Sequence, residues 1–197
     1  MERMSRVDLY WLPLGAGGKS VRFNGKVFEA VAALLERRPR QDLYHSALEV
    51  VLPEGRFVIE QAPSRPDRAE RGVVAEGPVG ARWAGVLRLF RYEIRSWPDG
   101  VIADIDEAVE SPQRLSEDPA AARRVLELVR QVPTPVWGRD ELHAGEGWNS
   151  NSVISWVLAR AGLDVAAARL PAAGRAPGWQ AGLDVAMRRA RDERRSG

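Results

Sequence analysis

The stretch that most restricts this chain is Trp148-Asn149-Ser150-Asn151-Ser152-Val153-Ile154-Ser155-Trp156-Val157-Leu158. Four small polar residues stand before Val153, Ile154, Trp156, Val157 and Leu158, whose spacing fills most of a helical circumference. A helix apolar over so much of its surface has to be covered on several sides. Gly162 follows where a helix stops, so the spacing predicts a helix over about Asn151 to Ala161. The polar residues then fall at its N-terminus, where backbone N–H groups lack intrahelical partners and the helix dipole is positive. Asn149, Ser150 or Asn151 can serve there simply as an N-cap. The same position also suits a group that carries developing negative charge.

What could cover such a helix is legible upstream. Val7 to Leu14 alternates like a strand. Leu43 to Leu52 and Arg56 to Ala62, joined by Pro53-Glu54-Gly55, form the clearest hairpin. Gly72 to Glu76 and Gly85 to Arg95 read as further strands. In the second, Val86, Leu87, Leu89, Phe90, Tyr92 and Ile94 give a partly buried pattern. Val27 to Arg37 is an amphipathic helix pattern and Ile105 to Glu110 a short helix. Asp118-Pro119 opens a firmer helix, with a capping Asp and Pro at its first position. A last helix or strand spans about Trp179 to Ala190. Strands with one early helix, then helices, predict an α+β fold: a mostly antiparallel sheet packed against helices. At 197 residues the expectation is one domain over residues 1–186, followed by a basic C-terminal tail, 187–197.

Several functions are excluded by composition. Without cysteine there are no disulfides, thiolate zinc sites or cysteine nucleophiles. The five arginines of the tail outweigh Asp192 and Glu193 by +3, while the whole chain is only +2, so the body is near neutral. No face for nucleic acid is implied. No membrane span and no secretory leader are expected, which makes a cytoplasmic location the default. With only two histidines and no carboxylates at ligand spacing, neither a metal nor a cofactor is expected. Gly15 to Ser20, ending Gly-Lys-Ser after a strand, resembles half of a phosphate loop. Pro13 in its first place and Asn24-Gly25 soon after speak for a glycine-rich turn between strands, the second over about Ser20 to Phe23.

The chemistry-bearing residues are few. His45 lies on a strand that reads as buried on both faces, and His143 in the loop before Ser150. A strand histidine can be a satisfied core residue. It can also be a base for a nucleophile at a helix N-terminus, where backbone donors await an oxyanion. Trp137 and Trp148 flank the loop leading to Ser150 and either pack against neighbouring elements or wall a pocket.

His45 opening a strand, the hairpin to Glu60-Gln61, and a late Asn149-Ser150-Asn151 before an apolar helix resemble the circularly permuted NlpC/P60-like (papain-like) superfamily. That group includes the lecithin retinol acyltransferase-like and PPPDE-type proteins. The resemblance spans about His45 to Ala161 and implies a permuted papain-like architecture. It also implies a hydrolase or acyltransferase acting on an amide or ester bond of a peptide or acyl-containing small molecule. Ser150 stands where the family has its cysteine nucleophile, His45 where it has the base, and Asn149 and Asn151 beside the developing oxyanion. A third polar residue should orient the histidine. With Glu54-Gly55 as a two-residue loop, Glu60 shares the face of His45; with a three-residue loop, Gln61 does. Serine in place of cysteine departs from the pattern, because an alcohol is not ionised near neutral pH and depends wholly on its base. A fold that keeps the groove for a peptide or lipid but has lost the chemistry is the alternative. Neither the substrate nor the oligomeric state is legible.

Overall fold

In the computed structural model, the described residues are 4–14, 41–64, 72–102, 104–172 and 174–196. The phosphate-loop motif at Gly15 to Ser20, the strand at Ser20 to Phe23 and the helix pattern of Val27 to Arg37 lie outside them.

The fold is α+β. Strands β1 (Arg6–Pro13), β2 (Asp42–Leu52), β3 (Gly55–Pro63), β4 (Val73–Pro78), β5 (Arg91–Pro98) and β6 (Val109–Ser116) form a sheet in the order β4-β5-β3-β2-β1-β6. Every pairing along that path is antiparallel, and a two-residue strand β7 (Gly174–Arg175) adds to β2 in parallel. The helices among the described residues are α1 (Pro119–Leu128), α2 (Ser150–Arg160) and α3 (Trp179–Ser196). Asp118 caps α1 by accepting from the N–H groups of Ala120 and Ala121, with Pro119 in the first turn.

The sheet's two faces differ in chemistry. One carries Leu9, Trp11, Leu48, Val50, Ile59 and Ile94 against Val153, Ile154, Trp156, Val157 and Leu158 of α2, all fully or nearly fully buried. This covering explains how α2 can be apolar all round. The other face holds a small cluster of Tyr10, Leu12, Ala47, Val58 and Ile102. Beside it, the cross-strand carboxylates Asp8 and Glu49 are neutralised by Arg6, which bonds both at 2.9 Å, and by Arg114 and Arg56. Like charges directly opposite repel, so this pair depends on its arginines.

Helices α2 and α3 approach closely because Gly182 has no side chain. A Cβ there would stand 2.1 Å from Ser155 Oγ and 2.2 Å from the Ser152 carbonyl oxygen. The start of α3 is also bonded to α2: Ser152 Oγ donates to the Gly178 carbonyl and Ser155 Oγ to that of Trp179, both at 2.7 Å.

Four local expectations are corrected. Gly85 to Arg95 is not one strand: Trp83–Val86 and Arg88–Phe90 are single 3₁₀ turns, and β5 begins only at Arg91. Val86, Leu87, Leu89 and Phe90 are consequently exposed rather than half-buried. The helix at Ile105 is one 3₁₀ turn, Ile105–Glu107, and the following residues form strand β6 instead. The hairpin turn is Pro53-Glu54, because Leu52 pairs with Gly55, so neither proposed loop is the one formed. The last element is a helix that runs to Ser196, past the Ala190 end expected for it.

Candidate functional site

The first turn of α2 shows what each small polar residue does. Asn149 is the N-cap: its Oδ1 accepts from the Asn151 N–H at 2.9 Å, and its own N–H donates to Ser152 Oγ at 3.2 Å. Asn149 Nδ2 donates to the Pro177 carbonyl at 3.0 Å. Asn151 is turned to the sheet, where its Oδ1 accepts from Ser46 Oγ at 2.9 Å. Its Nδ2 donates to the carbonyls of Tyr44 at 2.9 Å and Pro177 at 3.0 Å. Ser152 is engaged with Gly178, whose φ of 83° and lack of Cβ let the chain pass there; a Cβ would lie 2.5 Å from Asn149 Nδ2. The bonding capacity of Asn149, Asn151 and Ser152 thus goes into joining α2 to β2 and to the segment before α3.

Ser150 is the exception. Neither its hydroxyl nor its backbone N–H has a hydrogen-bond partner among the described residues. The residue is almost buried, yet it lines a cavity of about 490 Å³. Tyr44, His45, Trp137, Glu146 and Arg175 contribute to the same wall. Trp137 is held there by an edge-on contact with Tyr92, ring centres 5.6 Å apart. Trp148 is core, only 1% exposed. The cavity therefore presents a free hydroxyl and a free N–H at the positive end of a three-turn helix, within largely apolar walls.

His45 reaches this wall from an unfavourable strand position. On β2 the helix-side residues are Tyr44, Ser46 and Leu48, while Ala47 belongs to the opposite cluster. His45 shares the parity of Ala47 and pairs with Leu12, which lies in that opposite cluster. No hydrogen bond joins it to Ser150. Burial pushes its imidazole down to about 4 from 6.5, weakly opposed by the charge of Asp104.

Linkage then predicts a specific pH response. The unfolded chain takes up the His45 proton first, so His45 costs the fold no stability above pH about 6.5. The cost grows as pH falls and is complete below about 4. At most about 3 kcal/mol is at stake. In urea titrations between pH 7 and 4, His45→Gln should lose less stability than the wild type.

Glu60 and Gln61 part company. Glu60 does lie on the face of His45, opposite Arg95 of β5, but its carboxylate accepts from Arg95 Nη1 at 2.8 Å. Gln61 pairs with Ile94 of the helix-side core, and both ends of its buried amide lack partners among the described residues. Neither bonds His45. His143 is exposed and faces α3 elsewhere, near Asp184 and Arg188. The structure thus brings Ser150, Asn149, Asn151 and His45 to one cavity, without Glu60 or Gln61.

Ser46, Glu146 and Arg175 were not singled out in the sequence. Ser46 had a signal, one polar residue on the core-facing side of β2; the other two had none. Among the described residues no group of His, Asp and Glu could hold a metal, and no helix is long and apolar enough to cross a membrane. Comparison of the chain with protein-family models, with curated proteins and with solved structures returns no match.

Proposed function

We propose that the cavity at the start of α2 is a ligand-binding site on a permuted papain-like (NlpC/P60-like) scaffold that binds without turning over. Its ligand is a peptide or an acyl-containing small molecule that places a carbonyl or carboxylate against the Ser150 hydroxyl and N–H. The observation that carries this reading is the division of labour in the first turn: Asn149, Asn151 and Ser152 are bonded into the structure, and among the described residues nothing bonds the hydroxyl or N–H of Ser150 at the cavity wall. The order of β2 before α2, with Asn151 bonded to β2, supports the scaffold. Binding is favoured over chemistry by the strand parity of His45 and by its low basicity.

The test is thermal denaturation against short peptides and N-acyl amino acids. A ligand present at about 100 times its Kd adds about 2.7 kcal/mol, a rise of about 5–10 °C for a chain of this size. The shift should shrink but persist in Ser150→Ala, which keeps the N–H, and vanish in Ser150→Trp, whose ring fills the cavity. A shift unchanged in Ser150→Trp would place the ligand elsewhere.

One observation favours a second reading: Ser150 and His45 do line the same cavity. In that case Ser150 Oγ attacks an ester or amide carbonyl and His45 takes the hydroxyl proton. The oxyanion meets the Ser150 N–H, and collapse expels an alcohol or amine that carries the proton away. Labelling by a fluorophosphonate, lost in Ser150→Ala, would establish this reading and displace the first.

A further inference from the structure

Glu146 stands between two cavities. One is the cavity at Ser150. The second, of about 300 Å³, is walled largely by apolar groups, Trp11, Leu170, Ala176 and Trp179 among them. Glu146, Arg175 and Pro177 line both, so the two spaces meet along one stretch of wall.

That wall is held in place by bonds from α2 and from Glu146 itself. The Pro177 carbonyl accepts from Asn149 Nδ2 and Asn151 Nδ2, each at 3.0 Å. The Gly178 carbonyl accepts from Ser152 Oγ at 2.7 Å. The Gly178 N–H donates to Glu146 Oε2 at 2.6 Å. This is the one hydrogen bond of the Glu146 carboxylate among the described residues, and it has no ion pair among them. A half-buried carboxylate with a single N–H donor and no cation can take a further, charged donor.

The surroundings select that donor. Trp179 is half-buried and packs on Trp11, ring centres 4.9 Å apart. An indole ring takes up a methylene chain and attracts a cation at its face. His45, on the wall of the first cavity, is kept neutral at neutral pH by its burial and adds no positive charge. Arg175 borders both cavities but is already partnered. An aliphatic chain that ends in an ammonium matches both features, its stem against the apolar wall and its head at the carboxylate. We propose that Glu146 is a specificity residue that selects peptides with a lysine-type side chain, binding the ammonium where the two cavities meet while the peptide carbonyl meets Ser150. This rests on the reading of the Ser150 cavity as a ligand site and names the class of its ligand.

The experiment is calorimetric titration of the full chain with three blocked tripeptides, acetyl-Ala-X-Ala-amide, where X is lysine, norleucine or glutamate. Norleucine has the carbon chain of lysine without the ammonium, so the comparison reads the charge alone. The lysine peptide binds at least about tenfold more tightly than the norleucine peptide, and the glutamate peptide binds weakest. The preference for lysine falls as salt rises. In Glu146→Gln, whose amide oxygen can still accept from Gly178, the lysine and norleucine peptides bind alike. Equal binding of those two to the wild type, or a preference unchanged in Glu146→Gln, overturns the assignment. The reading of the cavity survives that result if Ser150→Trp abolishes binding of the norleucine peptide. Tightest binding of the glutamate peptide also overturns the assignment and gives the contact to Arg175. Binding of none of the three overturns both.

Discussion

Asn151→Leu lowers the free energy of unfolding by about 3–5 kcal/mol, from the three hydrogen bonds lost and the partners left unpaired. The residue is 3% exposed, and its amide joins Ser46 Oγ and the carbonyls of Tyr44 and Pro177. Leucine keeps the same branched skeleton with bulkier methyl ends, so no cavity opens and any packing effect is crowding. What is lost is polar, and the Tyr44 carbonyl and Ser46 hydroxyl are left without their Asn151 partner. Set against a typical total of about 5–15 kcal/mol, this is a large fraction. Urea titration should show a lower midpoint at unchanged slope. Ser150→Ala, one residue away, should cost under about 1 kcal/mol, because Ser150 has no bond to lose. Equal losses at the two positions would contradict the division of the first turn into structural groups and one free group.

Arg95→Met has a comparable effect for a different reason. Glu93 is 0% exposed and Arg95 4%, with Arg95 Nε bonded to Glu93 Oε2 at 3.1 Å and Nη1 to Glu60 at 2.8 Å. Removing the guanidinium takes from the buried Glu93 carboxylate the charge that Arg95 sets against it, which costs about 3–5 kcal/mol. Removing both charges avoids that penalty. The double variant Arg95→Met/Glu93→Leu should therefore be more stable than Arg95→Met alone, by about 1–4 kcal/mol. A double-mutant cycle in denaturant measures the coupling. Strictly additive losses would mean that the pair is not coupled as the distances imply.

These two networks also mark how far the sequence could be read. The β2–β3 hairpin and the Asp118-Pro119 start of α1 were legible because each is specified within a few residues: alternation, a turn, a cap. The buried helix α2 was legible from its period alone. Strand β6 was not, since Val109 to Ser116 holds Glu110, Pro112 and Arg114 and lies at the sheet edge, where such residues are tolerated. The connection between β4 and β5 misled because an apolar run reads as buried, and nothing local tells a core strand from a pair of exposed turns.

The candidate site was half legible. Ser150 stood out by its place before an apolar run, and the structure leaves it free at a cavity wall. The partnership that holds the site, Ser46 with Asn151, joins residues 105 positions apart and has no local signature. The orientation of His45 hung on a single residue of strand parity, and Glu60 and Gln61 on the exact turn. Pro53-Glu54 rather than Glu54-Gly55 sets that turn, and the charge of Glu60 goes to Arg95.

The most direct measurement is the ionisation of a thiol in the place of the Ser150 hydroxyl. In Ser150→Cys, the rate of alkylation by iodoacetamide is followed against pH, with and without His45→Gln. A free group at a helix N-terminus inside an open cavity reacts, with a pKa of about 7–8, lowered from about 8.5 by the helix end, and His45→Gln leaves it in place. A thiol ionising near pH 4 whose pKa rises sharply in His45→Gln would reveal a thiolate–imidazolium pair, and the site would be a catalytic one after all.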